Sequence, residues 1–149
     1  MAEEITVRDN DEFEEIIANH DIRVARALVE TILKNLKGRK RHLHALSVMV
    51  LNEATIYDIT IDRKEFITTL EKNLPIYEKN ELYEKCAEIV EAIKKHAEGH
   101  IAKHKANVEV LLEKTAGIAE HPDTLETIEK ELKIIAEYDD ELEMLNKYF

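Results

Sequence analysis

The sequence has little of the material that builds tight turns. Only three glycines and two prolines occur in 149 residues, whereas sandwiches and barrels made of hairpins need such residues at most of their connections. This scarcity favours long helices. The single cysteine, Cys86, excludes an intramolecular disulfide framework. No apolar run approaches the roughly 20 residues of a membrane-spanning helix, so we expect no contact with a membrane.

Targeting signals are also missing from the sequence. Residues 1–5 contain no basic segment followed by an apolar one, which is the pattern of a secretory signal. Together with the lone Cys86, this predicts a cytoplasmic protein, or one in the host cytoplasm if a virus encodes it. The length predicts one helical domain over residues 1–149, with residues 1–10 as a flexible acidic segment.

Apolar residues recur at helical spacing over most of the chain, which predicts an all-α, mostly antiparallel bundle of four or five helices. The first helix is expected over residues 11–37, followed by a turn at residues 38–40. A second helix carries the stripe Leu43, Leu46, Val50, Ala54 and Tyr57 and breaks near residues 58–61. The third begins after Asp62 and ends before Pro75. The longest spans about residues 80–117, and the last, perhaps interrupted at residues 139–140, follows a turn at residues 121–123.

Charge is segregated along the chain, although 21 basic residues against 32 acidic ones give a net charge of -11. Residues 1–21 hold eight acids and one base, and residues 118–149 hold ten acids and three bases. Residues 22–44, in contrast, hold seven bases and one acid. A basic segment between two acidic ends either orients a partner or is neutralised by the ends folding over it.

Three histidines follow one another at four-residue intervals. His96, His100 and His104 therefore share one helix face. His20 and Glu53 lie in or beside the apolar stripes of the earlier predicted helices, so they too should point toward neighbouring helices. The five side chains together would suit zinc or iron inside a bundle. No Glu-x-x-His pair of di-iron bundles and no His-Glu-x-x-His zinc motif occurs. The alternative is that these histidines are half-exposed seam residues, and no cofactor is the primary expectation.

The second cluster of interest lies at the turn after the first helix. It contains Lys34, Lys37, Arg39, Lys40 and Arg41, and such a group can bind phosphates. No aromatic residue is interleaved with it, so stacking on single-stranded bases is not supported. We expect no binding of nucleic acid by the intact chain, because an acidic segment flanks this turn in sequence and the acidic C-terminal helix can reach it.

Nothing in the sequence indicates an enzyme. Cys86 falls on an apolar stripe, and Ser47 has no glycine-rich turn around it. The long helix has more apolar length than short neighbours can cover, which predicts a non-enzymatic interaction module that binds a protein partner or a second copy of itself. Self-association is expected through the stripe containing Ile89, Ile93, Val108 and Leu111. One sequence does not separate a cellular regulatory protein from a viral protein that binds a host target.

Overall fold

The computed structural model describes residues 2–113 and 123–149, and these residues form an α+β protein with five α-helices and a three-stranded mixed sheet. The all-α prediction is therefore wrong. The elements in chain order are β1 (Glu3–Val7), α1 (Asn10–Ala18), α2 (Ile22–Asn35), β2 (His42–Val50), β3 (Thr55–Asp62), α3 (Phe66–Lys79), α4 (Tyr83–Glu113) and α5 (Asp123–Tyr148). The chain divides into two compact units, Met1–Ala92 and Ile93–Phe149, with the boundary inside α4.

The predicted second helix is in fact the antiparallel pair β2 and β3, joined by the 3-10 turn Leu51–Glu53. A β-bulge explains the error. The register shifts between His44 and Leu46, so Ala45 is an extra residue in β2. As a result Leu43 and Leu46, three residues apart, are both buried, and this spacing imitates one turn of helix. The β-branched stretch expected to break a helix is the edge strand β3.

The predicted first helix is two helices, because the chain turns between Ala18 and Ile22. His20 adopts a left-handed backbone conformation with φ 53°, which ends the regular helical geometry. The side chain of Asp21 then accepts a hydrogen bond from the amide of Arg23 and caps α2. Residues 3–7, which the sequence suggested as part of a flexible segment, form strand β1.

The core of the first unit lies on one face of the sheet. The strand order is β1-β2-β3, with β1 parallel and β3 antiparallel to β2. Helix α2 packs against β2 and α3. The buried side chains of this unit include Ile5, Val7, Val29, Ile32, Leu46, Val48, Val50, Leu70 and Tyr77. Alternate residues of β2 and β3, among them Met49, Ile56 and Asp58, are exposed, so the other face of the sheet is open.

The later helices differ from expectation at their ends. Helix α3 continues through Pro75 to Lys79, where the sequence predicted an end before the proline. Helix α5 runs through residues 139–140 without interruption. The predicted end of the long helix at residues 114–117 and the turn at residues 121–122 lie outside the described residues. None of the helices in residues 2–113 and 123–149 combines the length and apolarity needed to cross a bilayer.

Candidate functional site

The three histidines of α4 form a stack against α5 within the second unit. The ring centroids of His96 and His100 lie 4.4 Å apart, and those of His100 and His104 lie 5.9 Å apart. The ring of Tyr138 stacks on His100 at 4.5 Å. The Nδ1 atom of His104 lies 2.5 Å from the carboxylate of Glu131. The sequence predicted the shared face of these histidines, which we call the histidine stack, but not its partners on α5.

Burial favours the neutral form of two rings of the histidine stack. It lowers the pKa of His96 and of His100, and each ring is further disfavoured as a cation by the next histidine along the helix. The carboxylate of Glu141 opposes this effect at both rings. Hydrogen bonds from His104 and Asn107 lower the pKa of Glu131. The stack is therefore arranged for neutral rings at His96 and His100, beside an ionised carboxylate at Glu131.

The five proposed metal ligands belong to two different units. His20 is exposed in the turn between α1 and α2, and Glu53 is exposed in the 3-10 turn after β2, where it accepts a hydrogen bond from Asn10. Both belong to the first unit and are not part of the histidine stack. Of the residues that the structure describes, no three His, Cys, Asp or Glu side chains are placed to bind one ion. The Nδ1 atom of His104 is already held by Glu131.

The basic cluster follows α2 on an exposed loop, residues 36–41, which we call the basic loop. Lys34, just before it, pairs with Glu30 at 3.5 Å, and Arg41 pairs with Asp62 at 3.3 Å. Lys37, Arg39 and Lys40 are exposed. In the described part of the chain, no acidic side chain pairs with any of these three. The basic loop therefore presents three uncompensated cations to solvent.

Arg63 fixes the path of the basic loop, a role that sequence reasoning missed. Its guanidinium donates to the backbone carbonyls of Lys40, Leu36 and Asn35 at 2.9, 3.3 and 3.2 Å. Two of these carbonyls belong to the end of α2, where backbone acceptors lack helical partners. A Cβ atom at Gly38 would lie 3.2 Å from both the Arg63 Nη2 atom and the carbonyl oxygen of Asn35, so any larger residue would displace these groups by a few tenths of an ångström.

A groove of about 470 Å³ adjoins the basic loop between α2 and the start of β2. Arg26, Lys34 and His44 line it together with the carboxylates of Glu3 and Glu30. Glu30 also binds Lys85 at 3.2 Å. Burial raises the pKa of Glu30, but the hydrogen bonds and positive charges of Lys85 and Lys34 together hold it below its usual value. Charges of both signs are thus balanced inside the groove, in contrast to the loop beside it.

His44, Ser47 and Asp58 form a second cluster that the sequence did not indicate, on the open face of the sheet. The hydroxyl of Ser47 donates to Asp58 at 2.6 Å and lies 3.0 Å from Nε2 of His44. The same Nε2 atom lies 3.1 Å from the carbonyl oxygen of Leu46. A catalytic triad needs the serine proton directed to histidine and the carboxylate bound to the other ring nitrogen. This arrangement is instead a surface hydrogen-bond network.

The residues predicted to mediate self-association are divided between core and surface. Ile89 and Ile93 are 0% and 1% exposed, so neither side chain is available to a partner. Val108 and Leu111 are only half-buried. Further apolar side chains of the second unit are more exposed, namely Val110, Leu112, Leu125, Leu132, Met144, Tyr148 and Phe149. Cys86 is buried, and burial raises the pKa of its thiol.

Comparisons with protein-family models, with curated proteins and with solved structures find no match to this chain.

Proposed function

We propose that the protein is a non-enzymatic interaction module that associates with a second copy of itself through its second unit. This unit, which we call the helical hairpin, contains residues 93–113 of α4 and the whole of α5. The contacts of His104 with Glu131 and of His100 with Tyr138 make the two helices antiparallel neighbours. The other copy would complete a four-helix bundle.

Incomplete burial of α5 carries this proposal. Helix α5 lies wholly within the described residues, and none of its 26 residues is buried. Yet the helix contains Leu125, Leu132 and Met144, which are 65%, 51% and 45% exposed. Two helices alone cannot enclose a core, because each buries only the stripe that faces the other. A second hairpin supplies the missing layer.

The size of the hairpin face suits a dimer. At 1.5 Å per residue, residues 93–113 span about 31 Å, and two helices side by side are about 20 Å wide. The face therefore measures on the order of 600 Å². Stable interfaces bury roughly 600–1,000 Å² on each partner, so pairing of two such faces reaches the lower part of this range.

Charge favours one arrangement of the dimer. Residues 93–113 contain four lysines and three glutamates, whereas residues 123–149 contain three lysines and nine acidic residues. Packing α4 of one copy against α5 of the other places the acidic helix beside the lysine-bearing one. Packing α5 against α5 would place two acidic helices together. We therefore expect a symmetric dimer in which unlike helices are neighbours across the interface.

Sedimentation equilibrium of the full chain and of a Leu132→Asp variant tests the proposal. Leu132 is half-exposed in the single chain, so the variant should still fold. The substitution acts twice in a symmetric dimer and should cost about 2–4 kcal/mol, which raises the Kd of the dimer roughly 30-fold or more. Ile93→Asp is not suitable, because Ile93 is buried and its loss would disturb the fold.

Leu51→Asp is the matched control. Leu51 is 56% exposed, similar to Leu132, but lies in the first unit. We expect the dimer Kd of this variant to match that of the natural chain. A natural chain that remains monomeric at micromolar concentrations contradicts the proposal, and so does an equal effect of the two substitutions.

A further inference from the structure

The position of the acidic N-terminal residues decides what the basic loop can bind. If those residues covered the loop, its cations would be neutralised. The structure places the acidic side chains of α1 elsewhere, whereas Glu3 lines the groove beside the loop. Val7 pairs with Val50 at the far end of β2, and the amide of Asn52 donates to the carbonyl of Arg8 at 3.0 Å. Helix α1 therefore begins beside the end of β2, whereas the basic loop precedes its start.

Both ends of α1 are remote from the basic loop. The nine residues of β2 separate the beginning of α1 from the loop by about 26 Å at roughly 3.3 Å per residue. The fourteen residues of α2 separate the end of α1 from the loop by about 20 Å. The Debye length is about 8 Å at physiological ionic strength. The carboxylates of α1 therefore do not screen or neutralise Lys37, Arg39 and Lys40.

We infer that the basic loop binds the phosphate backbone of a double-stranded nucleic acid without reading its sequence. Lys37, Arg39 and Lys40 fall within four consecutive residues, and no acidic partner is described for them. The guanidinium of Arg63 holds the backbone carbonyls on both sides of the loop. The three cations are therefore displayed from an ordered loop, which lowers the entropy lost when they bind.

The chemistry of the loop selects the class of polyanion. Residues 34–44 contain no Phe, Tyr or Trp side chain, the large rings on which unpaired bases stack best, and binding of single strands depends largely on such stacking. A membrane-binding segment needs a broad apolar face beside its cations, and Leu36 is the only large apolar side chain within the loop. A duplex backbone requires neither feature, since its regularly spaced phosphates are contacted by cations alone.

The expected interaction is weak and sensitive to salt. Three neutralised phosphates predict a slope of about -2.7 for the logarithm of the binding constant against the logarithm of salt concentration. We expect a Kd on the order of 10⁻⁴ M at 50 mM salt, with an about 40-fold loss between 50 and 200 mM salt that follows from this slope. Duplexes of unrelated sequence should bind equally well.

Fluorescence anisotropy of a labelled 20-base-pair DNA duplex, titrated with the full chain, tests the inference. Replacement of Lys37, Arg39 and Lys40 by alanine should abolish binding and its salt dependence. Arg41 is left in place because it pairs with Asp62. Replacement of Arg8, Lys72 and Lys79 by alanine removes the same charge from other exposed positions of the first unit and should change the Kd less than twofold. Circular dichroism establishes that both variants are folded.

Several results would overturn the inference. One is no change of anisotropy at 50 mM salt. Another is equal loss of binding in the two triple variants, since this would report net charge rather than the loop. Preference for one duplex sequence by more than tenfold would contradict backbone recognition. Binding to vesicles of phosphatidylserine and phosphatidylcholine in place of the duplex would assign the loop to membranes. None of these results bears on dimerisation, which Leu132→Asp tests separately.

Discussion

Arg63 connects the end of α2, the basic loop and α3, and Arg63→Met tests how much this connection stabilises the first unit. Methionine keeps an apolar stem of similar length but removes three hydrogen bonds to backbone carbonyls. It also removes the contact of the guanidinium with the ring of Phe66, whose centroid lies 4.8 Å away. Hydrogen bonds from a charged donor contribute about 1.5–3 kcal/mol each when buried. Arg63 is only half-buried, and its bonds are correspondingly weaker.

We take about 0.5–1 kcal/mol for each of these hydrogen bonds, the lower part of the range measured for hydrogen bonds in proteins. Arg63→Met should therefore lower the free energy of unfolding by about 2–4 kcal/mol when the cation–π contact is included. Arg63→Lys keeps the charge but loses the planar fork, so it should cost about half as much. Urea unfolding followed by circular dichroism measures both changes.

Lys64→Met is the control for the loss of one positive charge. Lys64 is exposed and adjacent to Arg63, and such a surface substitution should change stability by no more than about 0.5 kcal/mol. Exchange of the Gly38 amide, which donates to the carbonyl of Asn35 at 3.0 Å, gives a local measurement. It should accelerate in Arg63→Met and not in Lys64→Met. Equal effects of the two substitutions on stability and exchange would refute the role assigned to Arg63.

Two further predictions concern buried polar groups. Tyr77 is 1% exposed, its hydroxyl has no hydrogen-bond partner among the described residues, and burial raises its pKa to about 12. Tyr77→Phe should therefore raise the unfolding free energy by about 1 kcal/mol, and a loss in urea unfolding would show that the hydroxyl is bonded. The lowered pKa of His96 and His100 means that the unfolded chain binds more protons below about pH 6.5. The melting temperature should therefore fall from pH 7.5 to pH 5.5. If the melting temperature of a His96→Leu, His100→Leu variant depends on pH as strongly as that of the natural chain, these residues are not the cause.

The strands show where sequence patterns mislead. In β2 the bulge at Ala45 allows both Leu43 and Leu46 to be buried. The spacing of these apolar residues is therefore that of a helix, although the backbone is extended. In β3 five of eight residues are β-branched, a composition that weakens a helix but equally favours a strand. Pairing of β2 with β1 and β3 decides between these interpretations, because only pairing satisfies the backbone of an extended segment.

Each candidate site likewise combines a feature that the sequence indicates with partners that only the fold brings to it. Four-residue spacing places the histidines on one helix face whatever the rest of the fold does. Their partners Glu131 and Tyr138 come from α5. His104 and Glu131 are 27 residues apart in sequence. No periodicity within α4 could indicate them. Similarly, the basic loop is evident as a cluster of cations, but its anchor Arg63 lies 23 residues beyond Lys40 and depends on how β3 returns to the end of α2.

The sequence by itself determined the features that depend on neighbours within one turn of helix or a few residues of loop. These are the amphipathic helices over α4 and α5, the shared face of His96, His100 and His104, and the concentration of cations in residues 36–41. Only the tertiary structure decided the sheet, the burial of Ile93 and the separation of the acidic helix α1 from the basic loop. The physical reason is that strand pairing, burial and the neutralisation of charge depend on distances between residues far apart in sequence, which local spacing does not specify.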